Sequence, residues 1–280
     1  MTASSQAAKN HTRATGLRRV AAVLTVWFGA IVRPRRFKES RLLPPYIRLV
    51  IGALAGLALV AFAMLFLDAP GVVFAKSLPL WVVETFNEIT DFGKSGWFLI
   101  PIGGLIVLAA ILCTPAAGRI TTLMLTSLIV RLGYVFIAIA LPSLFVTIVK
   151  RLIGRVRPSE LGPYAYVPWS WKPAFASMPS GHATTAAAAA IAIGALWPKA
   201  RAPMWAYAAL IMASRVIIEA HYVSDVIAAA FVGGFGAILA RNWFAARGLA
   251  FVPGTDGAVR TLPGPSWRRV KAVARCLLAQ

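Results

Sequence analysis

The chain has 280 residues, 59% of them hydrophobic, and a mean hydropathy of +0.74. Because a soluble domain is nearer half apolar, this composition excludes an ordinary soluble protein and predicts an integral membrane protein. The net charge of +20 is carried by basic residues that flank apolar segments, which argues against nucleic-acid binding. No group of Cys and His residues has zinc-ligand spacing, so we expect neither a metal nor a cofactor.

Residues 1–45 form a basic segment that we place in the cytoplasm. Residues 1–19 are polar and basic, which is typical of a disordered segment. The apolar stretch Val20–Val32 is too short to span a bilayer easily and is bracketed by arginines. A basic cluster follows it where a signal peptide would have a small-residue cleavage site. We therefore predict a helix that lies in the membrane interface.

Residues 46–240 are predicted to form an all-α, polytopic domain with six transmembrane helices. The first span is Tyr46–Leu67, and the turn sequence that starts at Asp68 ends it. Val72–Gly96 alternates apolar and polar residues and is predicted to be an amphipathic segment on the far surface. Trp97–Cys113 is the second span.

The third apolar stretch, Ile120–Val149, is long for one span and contains Arg131. Either the helix tilts, or its first part lies on the surface and the span begins near Leu132. We prefer the second interpretation because a charge at mid-bilayer is costly. The remaining predicted spans are Gly181–Leu196, Pro203–Ala220 and Val226–Ala240, followed by a basic cytoplasmic tail over residues 241–280 that has no strong periodicity.

The distribution of charge predicts the orientation of these spans. With the N-terminus inside, the cytoplasmic side carries 21 of the 29 Lys and Arg and two of the nine Asp and Glu, a net charge of +19. The other side carries eight basic and seven acidic residues, a net charge of +1. This asymmetry satisfies the positive-inside rule. Three polar clusters of the sequence then fall together on the outer side.

The first polar cluster contains Lys150 and Arg157, seven residues apart. On a straight helix they would share a face, and Gly154 would let the chain bend so that both reach one anion. Arg157 offers a planar fork for two phosphate oxygens, while Lys150 acts as a point charge. The alternative is a basic collar at the end of a span, which outer-side placement disfavours.

The second cluster is Ser180-Gly181-His182 at the start of an apolar helix. Ser180 fits the N-cap position, and Gly181 permits close approach of the backbone. Free N–H groups and the helix dipole favour an anion there, and His182 would project towards it. An ordinary capped helix start with an incidental histidine explains the pattern equally well.

The third cluster joins Arg215, His221 and Asp225. His221 and Asp225 are four residues apart, so one helical face presents both. A carboxylate that binds one imidazole nitrogen fixes the tautomer and leaves the other nitrogen to attack. The alternative is a structural ion pair between Arg215 and Glu219. We favour a functional site because ionisable residues at a membrane junction are costly to keep there.

Together the three clusters resemble the tripartite signature of the type 2 phosphatidic acid phosphatase (PAP2) family, which vanadium haloperoxidases share. The matching residues are Lys150-x6-Arg157-Pro158, Pro179-Ser180-Gly181-His182 and Ser214-Arg215-x5-His221-x3-Asp225. The resemblance implies a six-span helical fold and metal-free phosphoester hydrolysis. It implies that His221 is the nucleophile, Asp225 orients it and His182 is the general acid. It also implies that the phosphate is bound by Lys150, Arg157, Ser180, Gly181 and Arg215.

The sequence thus predicts a lipid phosphatase of the cell inner membrane, with both termini in the cytoplasm and the site facing the periplasm. Its expected partners are membrane lipids and a lipid phosphate: a polyprenyl diphosphate, phosphatidylglycerol phosphate, phosphatidic acid or a phosphate of lipid A. A phosphotransferase of the same fold stays an alternative, as does a transporter or scaffold that only binds anionic lipid. The sequence leaves the oligomeric state open.

Overall fold

The computed structural model describes residues 18, 20–34, 46–113, 118–160, 162, 164–254 and 258–278. Its contacts divide the chain into two units. The first unit comprises Met1–Leu42, Ile100–Tyr134 and Trp243–Gln280, and the second comprises Leu43–Leu99 and Val135–Asn242. The helices are, in chain order, α1 (Val20–Val32), α2 (Tyr46–Phe66), α3 (Asp68–Lys76), α4 (Leu80–Thr90), α5 (Gly96–Leu112), α6 (Arg119–Ile153), α7 (Gly181–Leu196), α8 (Arg201–Ile217), α9 (Val223–Ala246) and α10 (Trp267–Leu278).

The helices fit most of the predicted spans, but their lengths differ from the expectation. By length and composition, the described residues contain three candidate membrane spans: Leu80–Leu112, Arg119–Ile153 and Val223–Ala246. The pair Val50–Phe66 and Asp68–Lys76, bent by 52°, would make a fourth. Helices α7 and α8 have 16 and 17 residues. The chain is therefore a largely helical protein with apolar spans, and the number six stays a prediction.

Helix α7 is enclosed in the second unit by closely packed neighbours. Its alanine run is buried from Ala186 to Ala190. Ala186 and Ala190 pack against Ala208 and Ile211 of α8. Small side chains let helix axes approach closely where no water competes for the contact. This packing holds the first turn of α7, which carries the second polar cluster, against the end of α8, which carries Arg215.

The end of α6 separates the two cations of the first cluster. Lys150 lies in the last helical turn, and the helix ends at Ile153. Gly154 has a φ of +67°, the left-handed conformation that glycine favours after a helix. Its carbonyl accepts a 2.7 Å hydrogen bond from the Val167 N–H. The chain does bend at Gly154, the condition under which the sequence allowed Lys150 and Arg157 to reach one anion.

Helix α6 continues without interruption from Arg119 to Ile153 and passes through Arg131, and the start of the span near Leu132 stays a prediction. In the first unit, Arg131 donates hydrogen bonds to the carbonyl oxygens of Leu262 and Pro263 at 3.0 and 2.9 Å. It also bonds the Ser127 carbonyl, one turn earlier, at 3.1 Å. The Leu262 and Pro263 carbonyls come from a distant part of the chain, so no local sequence pattern reveals that they accept hydrogen bonds from Arg131.

The tail contains a short antiparallel sheet that the sequence did not predict, beside the largely helical structure of the rest of the chain. Strand β1 (Phe251–Pro253) pairs with strand β2 (Val259–Thr261) in the first unit. The Phe251 ring packs edge-on against Tyr134, with ring centroids 4.7 Å apart. Three-residue strands are too short to show a period of two, so the sequence could not predict them.

Candidate active site

The predicted site residues all lie in the second unit, at the ends of helices α6 to α9. His182, in the first turn of α7, interacts electrostatically with Arg215, His221 and Lys150. Lys150 in turn interacts with Arg157 and Arg215. The fold therefore brings the three polar clusters together, although 75 residues separate Lys150 from Asp225 in the sequence.

Three positively charged side chains of this site, Lys150, Arg157 and Arg215, repel one another in partly buried surroundings. Burial, and next the charge of Arg151, lower the pKa of the Arg157 guanidinium. Arg215 is buried, and its Nη1 donates a 2.7 Å hydrogen bond to Thr90 Oγ1. The described residues show no ion pair between Arg215 and Glu219, so that alternative receives no support. Cations held close together in this way favour a bound anion.

Several donors of the site are buried without a hydrogen-bond partner in the described structure. They are Arg157 Nε, Ser180 Oγ and Arg215 Nε. Ser180 occupies the N-cap position of α7, as predicted, yet its hydroxyl makes no capping hydrogen bond. An unsatisfied buried donor costs about 1–3 kcal/mol. Two of them belong to cations and the third lies at a helix N-terminus, both of which are groups that bind oxyanions.

His221 lies beside Asp225 and a serine that the sequence analysis missed. His221 Nδ1 is 3.7 Å from Asp225 Oδ2, within ion-pair range but longer than a hydrogen bond. The Ser177 hydroxyl donates to Asp225 Oδ2 at 2.5 Å and lies 3.5 Å from His221 Nδ1. The Nδ1 side of the imidazole therefore faces Asp225 and Ser177, and Nε2 is the nitrogen left for a substrate.

The protonation state of His221 suits a nucleophile. Burial lowers the pKa of His221 to about 4, against the opposing effect of Asp225. Arg215 and Arg157 act in the same direction as burial because their charges disfavour an imidazolium. The imidazole is therefore neutral near pH 7 and retains a lone pair on one nitrogen.

Asp225 also connects the N-termini of two helices. Its Oδ2 accepts the Tyr222 N–H at 3.0 Å, as an acidic residue in the first turn of α9 does in a capping box. Its backbone carbonyl accepts the Ser180 N–H at 3.2 Å, just before α7. The second and third polar clusters are thus joined through one residue.

A buried network behind Asp225 was not predicted. Arg155 Nη1 donates to Asp225 Oδ1 and to Ser224 Oγ, each at 2.7 Å, and Arg155 Nη2 donates to Asp68 Oδ2 at 2.7 Å. The guanidinium also stacks on the Tyr222 ring, 4.2 Å from its centroid. By its sequence, Arg155 is one of the eight basic residues on the outer side, and Asp68 starts the turn that ends the first predicted span. An acid directly after an apolar span is the signal that could have identified Asp68.

Comparison with known proteins gives a consistent result. Residues 131–249 match the model of the PAP2 superfamily. The chain is 35% identical to a lipid A 1-phosphatase of Rhizobium etli over 71% of this chain and 86% of that protein. It is 31% identical to a lipid A 1-phosphatase of Rhizobium johnstonii over 80% of this chain and 92% of that protein. The crystal structure of Aquifex aeolicus LpxE matches with a TM-score of 0.45 and 20% identity, over 61% of this chain and 92% of that one.

Proposed function

The chain belongs to the PAP2 superfamily and is a phosphatase of that type, and from this premise we propose that it hydrolyses a phosphate ester of a membrane lipid through a phosphohistidine at His221. One observation carries the proposal: Arg157 Nε, Ser180 Oγ and Arg215 Nε are buried without hydrogen-bond partners, and the charges of both arginines act on the neutral imidazole. Donors fixed in place before the reaction stabilise the charge of a transferring phosphoryl group without reorganising.

In the first step, His221 Nε2 attacks phosphorus and the bond from phosphorus to the lipid oxygen breaks. In this proposal the proton that the departing oxygen needs comes from a protonated His182, which lies in the first turn of α7. The phosphorylated ring is cationic, and Asp225 lies on its Nδ1 side to stabilise that charge. Lys150, Arg157 and Arg215 bind the phosphate oxygens, together with Ser180 and the Gly181 N–H.

In the second step, water attacks phosphorus and the bond to His221 breaks. His182, now neutral, takes the proton from the water, and inorganic phosphate leaves. If an acceptor alcohol attacked phosphorus in place of water, the protein would be a phosphotransferase. His182 would then take the proton from the alcohol, and the bond to His221 would break in the same way. Hydrolysis is favoured by the relatives, both of which are named as phosphatases and align over most of their length.

Lipid A is the first substrate to test, because both relatives are named for its 1-phosphate. We expect purified protein to release phosphate from lipid A faster than from phosphatidic acid, phosphatidylglycerol phosphate or undecaprenyl diphosphate.

EDTA should leave the rate unchanged, since the carboxylates of Asp68 and Asp225 are bound to Arg155 rather than free for a cation. A rate abolished by EDTA and restored by Mg²⁺ would contradict the mechanism, and labelled phosphate on an added alcohol would indicate transfer.

We further propose that both termini are cytoplasmic and that the site faces the periplasm, as the net charges of +19 and +1 favour. An alkaline phosphatase reporter fused after Gln280 should be inactive, and one inserted between Ser159 and Lys172 should be active, because this reporter folds only outside the cytoplasm. A green fluorescent protein reporter at the same positions is the control and should show the opposite pattern. Activity of the Gln280 fusion would overturn the orientation.

Gly93 offers a test of where His182 must lie. A methyl group added to Gly93 would meet Ile211 Cγ2 at 2.7 Å and His182 Cδ2 at 2.9 Å. Because Ile211 is buried and His182 only half-buried, the imidazole is the group that moves. We expect Gly93→Ala to lower kcat roughly 10- to 100-fold, as small displacements of a reacting group do.

The matched control is Gly104→Ala in α5, where an added methyl group meets no atom within 4 Å. Both variants should purify and unfold like the wild type. The loss in Gly93→Ala should be smaller for p-nitrophenyl phosphate, whose leaving group needs no proton, than for a lipid phosphate. Equal rates for the two glycine variants would show that the position of His182 is not critical.

A further inference from the structure

A buried cluster of one guanidinium and two carboxylates lies behind the proposed nucleophile. The side chains of Asp68, Arg155 and Asp225 have no solvent-exposed area, and Arg155 forms a 2.7 Å ion pair with each carboxylate. We propose that Asp68 and Arg155 are positioning residues that set the charge facing His221: Asp68 neutralises Arg155, so that Asp225 keeps its negative charge towards the imidazole. This inference rests on the proposed role of His221.

The net charge of the cluster determines how strongly it attracts a positive charge on His221. With all three groups ionised, one positive and two negative charges leave a net charge of −1. If Asp68 were neutral, Arg155 and Asp225 would form a neutral pair, and the cationic phosphohistidine would face no net negative charge. Charge matters here because the surroundings are buried and water does not screen it. Arg157 and Arg215 already act on His221 from the substrate side and oppose a positive charge on its ring.

The geometry also fixes the direction in which Asp225 acts. Its Oδ1 accepts from Arg155, while its Oδ2 accepts from Ser177 and from the Tyr222 N–H. Only Oδ2 faces His221 Nδ1, at 3.7 Å. Arg155 therefore holds the far oxygen of the carboxylate and leaves the near one on the imidazole side. Arg155 can do this at little electrostatic cost to His221 because Asp68 compensates its charge.

A purely structural role for Asp68 is the competing explanation. Asp68 Oδ1 accepts the Ser224 N–H at 2.9 Å, and Oδ2 accepts the Ser224 hydroxyl at 2.6 Å. The carboxylate thereby binds a free N–H in the first turn of α9, as a capping side chain does. A substitution at Asp68 removes both the capping contacts and one negative charge. The experiment must therefore restore the net charge of the cluster without restoring the contacts of Asp68.

The decisive comparison is between Asp68→Asn and the double variant Asp68→Asn/Arg155→Gln. Asp68→Asn brings the cluster to a net charge of zero, and we expect kcat and the rate of phosphohistidine formation to fall about 10- to 100-fold with KM unchanged. The double variant returns the net charge to −1 with Asp225 as its only ion. It should therefore be faster than Asp68→Asn, although it has lost more of the native contacts. A merely structural role predicts that it is slower.

The rates are measured on p-nitrophenyl phosphate and lipid A, with rapid quench for labelled phosphohistidine. Glu84→Gln is the control, because it removes an exposed carboxylate of α4. A double variant as slow as Asp68→Asn, or slower, overturns the inference. If Asp68→Asn does not fold, the double variant decides alone: a kcat within about tenfold of wild type supports the inference and a larger loss overturns it. His221→Ala in the same series separates the two hypotheses, since a phosphoenzyme in that variant would contradict the proposed function itself.

Discussion

Replacing His221 by alanine should abolish turnover and leave no phosphoenzyme. His221 is buried, its imidazole is neutral near pH 7, and its Nδ1 faces Asp225, so Nε2 is the nitrogen left for the proposed attack. Without this nitrogen no covalent intermediate can form. The measurement is a rapid-quench assay with labelled substrate, together with steady-state phosphate release. The variant should still bind vanadate, because Arg157 and Arg215 are unchanged.

His182→Ala should fail in a different way. A general acid contributes typically 10²–10⁴-fold, so lipid phosphate hydrolysis should be very slow rather than absent. Its phosphoenzyme should still form from p-nitrophenyl phosphate, whose leaving group departs without a proton. Asp225→Asn should fall between the two histidine variants because it retains the nucleophile but loses the compensating charge. If His182→Ala lost the phosphoenzyme while His221→Ala kept it, the two roles would have to be exchanged.

The sequence alone leads to the residues that we propose to face the substrate. Their residue types are rare in apolar surroundings, and they occur at helix ends where the hydropathy changes. The prediction that Ser180 starts a helix is confirmed, and the chain does bend at Gly154. These features are local: an N-cap and a left-handed glycine depend on neighbours a few residues away. Local rules therefore predicted most of the candidate site.

The residues that hold the site from behind could not be predicted in the same way. Asp68 lies 87 residues before Arg155, and Arg155 lies 70 residues before Asp225. Their significance comes only from the ion pairs that the fold creates between helix α3, a loop and helix α9. The acid looked like the end of a span, and the arginine looked like one of several outer charges. The sequence likewise could not show what satisfies the Arg131 guanidinium, since two of its acceptors lie 131 and 132 residues away.

Arg157→Met should destroy activity and yet leave the protein as stable as the wild type, or more so. Arg157 is half-buried, its Nε has no partner, and burial lowers the pKa of its guanidinium. Removing a charge that Asp225 and Glu160 compensate less than burial and Arg151 oppose it relieves a desolvation cost in the ligand-free protein. The same charge is needed once phosphate is bound. Loss of one preorganised donor costs about 10²–10³-fold in rate, so kcat/KM should fall by at least that factor.

Arg157→Lys distinguishes charge from geometry, because lysine keeps the charge but not the planar fork. We expect it to recover only part of the activity. Arg151→Met is the control: Arg151 lies in the same segment, but its guanidinium donates to the Trp171 carbonyl and is 5.9 Å from the Trp171 ring. Its rate should stay within a few-fold of the wild type.

Thermal unfolding in detergent, with and without vanadate, completes the test. Vanadate should stabilise the wild type and Arg151→Met but not Arg157→Met, because a ligand stabilises only a protein that binds it. If Arg157→Met lost stability together with activity, or kept its stabilisation by vanadate, Arg157 would be a structural residue rather than a phosphate ligand.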